Sequence, residues 1–137
     1  MATHQSEDVT RARIAQGECF VALVEGAVCG TIIFRGTRQT HGSPWYDRDD
    51  VSSFGQFAVE PSLQAKDLGG RLMSVVEDRA LATGAREIAL DTAEPAVHLI
   101  ARYTRLGYRF IEHANWGHTN YRSVIMSKTL PQVRPTS

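Results

Sequence analysis

Cysteine is scarce in this sequence, and its scarcity settles two questions at once. Only Cys19 and Cys29 are present, too few for a disulfide framework, and neither has a histidine or a second cysteine at ligand spacing. No metal is expected, and both cysteines read as small hydrophobes inside apolar, strand-like runs. An excess of charge of either sign is also lacking: Lys+Arg and Asp+Glu are both 15, for a net charge of zero. A nucleic-acid binder carries a basic face, so that class of partner is excluded. No apolar run approaches the ~20 residues that span a bilayer. The polar start, Met1 to Asp8, has no signal-peptide core. These absences predict a cytoplasmic protein without a membrane partner. Internal repeats are lacking too.

What is present is ordinary globular material, 42% hydrophobic and 22% charged in 137 residues. That is enough for one domain and its core but not for two. The domain is expected to fill 1–137, with 1–7 and 131–137 as flexible tails. Asp8 or Thr10 could cap a short helix through Arg13, Ile14 and Ala15 that Gly17 stops. Two β-rich runs, 18–25 and 28–34, flank Glu25-Gly26-Ala27 and predict a hairpin. A turn at Gly26-Ala27 would set Cys29 opposite Val24 and Cys19 opposite Phe34, so the cysteines would not meet. Residues 36–53 form a long polar loop, a length that is usually functional or mobile. A third strand over 53–59 leads to a helix from Leu68, where Leu68, Leu72, Val75, Val76 and Ala80 share a face and Gly84 is the stop. A strand at 87–92, a helix at 96–106 closed by Gly107, and strands at 108–113 and 123–128 complete a mixed-sheet α/β domain.

The centre of the chain is the stretch 57–71, which passes from strand through a turn to that helix. The first turn of a helix has backbone N–H groups without internal partners and a partial positive charge. Gly69 and Gly70 have no Cβ, so an anion can approach closely. On spacing alone, a glycine pair here is equally a tight connection, and the stretch fits neither the dinucleotide nor the P-loop fingerprint.

Val59-x-Pro61-x-x-Gln64-x-x-Asp67-x-Gly69 resembles the acetyl-CoA signature of the GNAT N-acetyltransferase superfamily, which runs Val-x-Pro and then Gln/Arg-x-x-Gly-x-Gly/Ala. Asp67 stands where the family has its first glycine; aspartate tolerates left-handed angles and can cap a helix. A second motif, Tyr103-Thr-Arg-Leu-Gly107-Tyr108, is similar to the family's Tyr-x-x-x-Gly-Phe/Tyr. The Asn usual seven residues before that tyrosine is Ala96 here. The resemblance spans 8–130 and implies a GNAT-like fold with a shortened N-terminus, since the family opens with a strand and a long helix before the first hairpin. A missing first strand would leave an open sheet edge that a second copy could cover, a homodimer.

The resemblance implies a direct transfer of acetyl from acetyl-CoA to a primary amine of a small molecule. Phe57, Ala58 and Val59 would pair with the cofactor's arm, and the backbone of Gln64, Ala65, Lys66, Asp67, Leu68, Gly69 and Gly70 would hold its pyrophosphate. Tyr103 would be the general acid, although with Val97, Ile100 and Leu106 it equally fits a packed helix face. The general base stays open among His41, Asp49, Asp50, His113 and His118. Glu60 is expected to face solvent. Trp45, Tyr46, Trp116 and Tyr121 are candidate walls of the acceptor site. A non-catalytic acyl-CoA sensor and a protein or peptide N-acetyltransferase are the alternatives.

Overall fold

The computed structural model describes residues 7–61, 68–117 and 120–132. The elements are β1 (Glu7–Ile14), β2 (Gly17–Val24), β3 (Ala27–Arg35), β4 (Val51–Val59), α1 (Leu68–Ala82), β5 (Glu87–Ala93), α2 (Val97–Arg105), β6 (Arg109–Ala114) and β7 (Ser123–Thr129). The strands form one seven-stranded mixed sheet in the order β1-β2-β3-β4-β5-β7-β6, with β4 and β5 parallel and every other pair antiparallel. No described helix is long and apolar enough to cross a membrane.

Two sequence expectations are corrected here. The short helix through Arg13 and Ala15 is a strand, and Glu7, assigned to the flexible tail, is its first residue. Val9, Thr10 and Ile14 are β-branched, and pairing with β2 along the whole length, from Glu7 with Val24 to Ile14 with Gly17, outweighs a weak local helix signal. A strand therefore occupies the edge expected to be open, and β1 becomes the sheet's outer edge, on which Arg11 and Arg13 place charge. β1 reaches β2 through Ala15 and Gln16, with no helix between them. The hairpin turn is also one residue earlier than expected. Glu25 and Gly26 have φ of 52° and 81°, the left-handed pair whose twist matches the flanking strands. Val24 thus pairs with Ala27, and Cys19 faces Ile33 rather than Phe34, with a bulge placing Cys29 between Val28 and Gly30. Both cysteines are free.

α1 and α2 cover one face of the sheet. Leu68, Leu72, Val76 and Ala80 recur every fourth residue and, with Met73, are buried against Phe20, Ala22, Ile32, Phe34 and Phe54. Gly30 lets the helix close on β3: a Cβ there would lie 2.9 Å from Leu72 Cδ1. The other face is covered by the 36–50 connection, where Tyr46 is buried with Val51, Ala89, Ala114 and Ile125. That connection is a packed layer. Thr40 Oγ1 donates to the Gly36 carbonyl at 2.9 Å, and the Trp45 N–H donates to Glu112 Oε2 at 3.0 Å.

Both helices end alike. Gly84 and Gly107 have φ of 85° and 98°. Ala85 N–H donates to the Ala80 carbonyl at 3.1 Å, and Tyr108 N–H donates to the Tyr103 carbonyl at 3.0 Å. This is the Schellman arrangement, which needs a left-handed residue that only glycine adopts without strain.

Candidate active site

The sheet opens at its centre. β4 and β5 pair only from Val51 with Glu87 to Ser53 with Ala89. Beyond that point β4 stays with β3 as far as Val59, and β5 stays with β7 as far as Ala93. At the opening β4 is irregular: Ile33 pairs with Gly55 and Thr31 with Ala58, so Gln56 and Phe57 together oppose Ile32. The extra residue is accommodated by Gln56, at φ 50°, and it reverses the alternation of the strand. Phe54 and Phe57 therefore both face the helices, with ring centroids 6.2 Å apart.

On the helix side of this bulge lies a cavity of about 200 Å³ lined by Phe57, Ala58, Val59, Gly69, Leu99, Arg102 and Tyr103. Gly69 lies at its wall, where a Cβ would come within 3.2 Å of Phe57 Cζ and 3.3 Å of Arg102 Nη2. Arg102 was not foreseen. It brings a guanidinium to the N-terminal turn of α1 and makes no ion pair among the described residues. Leu68 and Gly70 belong to the same turn, with the Leu68 side chain in the core. Gln64, Ala65, Lys66 and Asp67 lie outside the described residues. A helix N-terminus, a nearby cation and an apolar groove suit a group that carries phosphates at one end and a thioester arm at the other.

Tyr103 is fixed by its surroundings. Its ring meets Phe54 at 6.3 Å and Tyr108 at 6.1 Å, both edge-on, and the backbone bond from Tyr108 closes the turn. The motif Tyr-x-x-x-Gly-Tyr is thus a helix cap whose two aromatic rings touch. The hydroxyls differ in a way the spacing does not reveal. Tyr108 donates to Glu77 Oε2 at 2.8 Å, whereas the Tyr103 hydroxyl has no hydrogen-bond partner among the described residues, and Tyr103 lines the cavity. Burial pushes the Tyr103 phenol above its ordinary value, so it remains a proton donor.

On the opposite face a larger cavity, about 410 Å³, is lined by Arg35, Gln39, Thr40, His41, Tyr46, Ser53, Gly55, Gln56, Asp91 and Trp116. Asp91 stands two residues past the last β5 pairing with β4, as Gly55 does on β4, so both project to the same side of the opening. Tyr46 donates to Asp91 Oδ1 at 2.9 Å, and Arg35 Nη2 lies 4.0 Å from the same oxygen. Burial, then the Asp91 charge, holds the Tyr46 phenol well above its usual range, against a lowering by Arg35. Arg35 donates through Nε to Ser53 Oγ at 3.0 Å and through Nη2 to the Phe54 carbonyl at 3.2 Å. Its guanidinium crosses Gly55, where a Cβ would come within 2.9 Å of Nη2.

Of the four aromatic candidates, Tyr46 and Trp116 line this cavity. Trp45 and Tyr121 are not among its lining residues: Trp45 lies under Arg48, 4.3 Å from the ring centroid, and Tyr121 is exposed. Among the described candidate bases only His41 lines the cavity. Asp49 is exposed, Asp50 is held by Arg48, His113 pairs with Glu94 at 2.9 Å, and His118 lies outside the described residues. Glu60 is exposed, as expected. Sequence reasoning missed Asp91 and Arg35. The available signal was a single carboxylate in the otherwise apolar run Ile88-Ala-Leu-Asp91.

A family model described as the acetyltransferase (GNAT) family matches residues 2–108. No curated protein sequence matches the chain. Among solved structures, the chain is similar to the IAA acetyltransferase from Bacillus cereus, with 17% identity, a TM-score of 0.67, and coverage of 91% of this chain and 100% of that one. It is similar to a GNAT family acetyltransferase from Elizabethkingia anophelis with acetyl-CoA bound, with 16% identity, a TM-score of 0.65, and coverage of 84% and 77%. Ard1 from Thermoplasma volcanium is a further likeness, with 16% identity, a TM-score of 0.68, and coverage of 83% and 71%. At these identities the likeness is one of fold.

Proposed function

The chain belongs to the GNAT acetyltransferase family, and from that premise we propose that it transfers acetyl from acetyl-CoA to the primary amine of a small molecule. The observation that carries this reading is the pair of cavities flanking the β4 bulge. One has an unbonded phenol beside an anion-binding helix turn; the other has a carboxylate.

Acetyl-CoA supplies an acetyl group activated as a thioester. The N–H groups of the first turn of α1 and the Arg102 guanidinium hold its phosphates, and Phe57, Val59 and Leu99 cover its arm. Asp91 accepts a hydrogen bond from the incoming amine and orients it toward the bulge. As the C–N bond forms and the C–S bond breaks, the ammonium form of the acceptor gives up two protons. One ends on sulfur, delivered by the Tyr103 hydroxyl, and the other leaves to solvent past Asp91. General acid help of this kind contributes about 10²- to 10⁴-fold.

Calorimetric titration with acetyl-CoA, followed by thiol release with a panel of amines, tests the reading. Micromolar binding together with turnover of some small amine supports it. Binding without turnover of any amine turns it into a non-catalytic acyl-CoA sensor, turnover of peptides alone makes the acceptor a protein, and absence of binding removes it.

A further inference from the structure

Among the described residues the larger cavity is lined by one carboxylate, Asp91, and one guanidinium, Arg35, and from this pair we infer that its acceptor is a zwitterion, a small amino acid with one ammonium group and one carboxylate. The inference rests on the acetyl-transfer reading above and adds the class of acceptor. Asp91 and Arg35 face the same space without forming a contact ion pair. Their closest approach is 4.0 Å, where a bidentate pair would close to about 2.8 Å. Each is held back by other partners. Tyr46 occupies Asp91 Oδ1, and Ser53 and the Phe54 carbonyl occupy Nε and Nη2 of Arg35.

What remains unused is complementary to a zwitterion. Asp91 Oδ2 and Arg35 Nη1 have no hydrogen-bond partner among the described residues. The first is an acceptor suited to an ammonium, and the second is a donor suited to a carboxylate. The Arg35 support is itself anchored, because Thr40 Oγ1 and Ser53 Oγ are 2.9 Å apart in the buried layer behind it. A guanidinium held by two bonds before any ligand arrives loses little freedom on binding. Tyr46 and Trp116, with ring centroids 6.0 Å apart, supply apolar wall for a side chain.

The charge count argues against the other amine classes. A polyamine or aminoglycoside brings several ammonium groups and needs several carboxylates, but among the described residues Asp91 is the one carboxylate lining the cavity. A monoamine without a carboxylate would leave Arg35 Nη1 buried against it without a partner, which costs affinity. About 410 Å³ lies at the small end of ligand pockets.

The test compares matched acceptors that share one amine: a set of free amino acids, their carboxamides, and spermidine as a polyamine. Thiol release is measured in parallel with calorimetric binding of each to the protein loaded with CoA. For the wild-type protein, kcat/KM on at least one free amino acid should exceed that on its amide by tenfold or more, with spermidine slower still. Arg35→Met should collapse the acid-to-amide ratio toward one, while Asp91→Asn should lower acid and amide alike. If Arg35→Met does not fold, as judged by circular dichroism, Arg35→Lys should give an intermediate ratio.

Amide or spermidine turned over as well as the acid would overturn the zwitterion and leave the acetyltransferase standing. Binding of the free amino acid over its amide without turnover would keep the zwitterion site and remove the enzyme. Binding and turnover of neither would overturn the inference outright.

Discussion

Three of the four tyrosines do different work through one functional group. Tyr46 and Tyr108 each donate a hydrogen bond to a carboxylate and act as struts, while the Tyr103 hydroxyl has no such partner among the described residues. Tyr103→Phe should therefore lower kcat about 10²-fold while calorimetry finds the acetyl-CoA affinity unchanged within about twofold. An unchanged kcat would reduce Tyr103 to a packing residue in the Phe54 and Tyr108 cluster. Arg102 predicts the opposite pattern. Arg102→Gln should weaken acetyl-CoA binding by about tenfold or more, the worth of a charge-assisted hydrogen bond, with kcat at saturation nearly preserved. The Tyr103 motif could be read from its spacing as a helix end. Asp91 could not be read as part of a site, because Tyr46 is 45 residues away along the chain and only the fold joins them.

At the level of elements, the two glycine-capped helices tie stability to the site. Gly107 is at φ 98°, and a Cβ would meet Lys128 Cε at 3.3 Å. Gly107→Ala should cost about 1 kcal/mol, as expected where alanine must adopt a positive φ. It should also lower kcat, because the same cap sets the height of Tyr103; a thermal melt and a rate assay on one preparation would check both. Leu72 is fully buried between α1 and β3, so Leu72→Ala should cost about 3 kcal/mol through lost transfer and cavity terms, read as a shift in urea midpoint. The i, i+4 stripe that places Leu72 was visible in the sequence because it is local. The bulge at Gln56 was not, because neighbouring residues do not specify a register change against β3.

At the scale of the whole molecule, burial raises the phenols of Tyr46, Tyr103 and Tyr108 above the ordinary value of 10.0, with neighbouring carboxylates adding to the effect for Tyr46 and Tyr108. A group whose pKa is raised on folding contributes stability that is full below its unfolded pKa and is lost as pH rises toward the folded value. The melting temperature should thus be insensitive to these groups between about pH 7 and 9 and should fall above about pH 10. Tyr108→Phe should flatten that alkaline decline. A melting temperature that held steady to pH 11 would contradict the burial. The sheet is also the frame that divides the two cavities, one on the helix face and the other on the face under the 36–50 connection.

The amino-acid sequence by itself determined the parts whose causes lie within a few residues. These are the apolar stripe of α1, the glycine stops, the hairpin around Gly26, and the two motifs that mark the family. It pointed to a short helix where β1 runs, because a short amphipathic segment fits either period until a neighbouring strand offers hydrogen bonds. The tertiary structure alone decided the parting of β4 from β5, the bulge that turns Phe57 to the helices, and the meeting of Arg35, Tyr46 and Asp91. Each of these joins segments distant along the chain. Such contacts form only when the sheet brings their strands side by side.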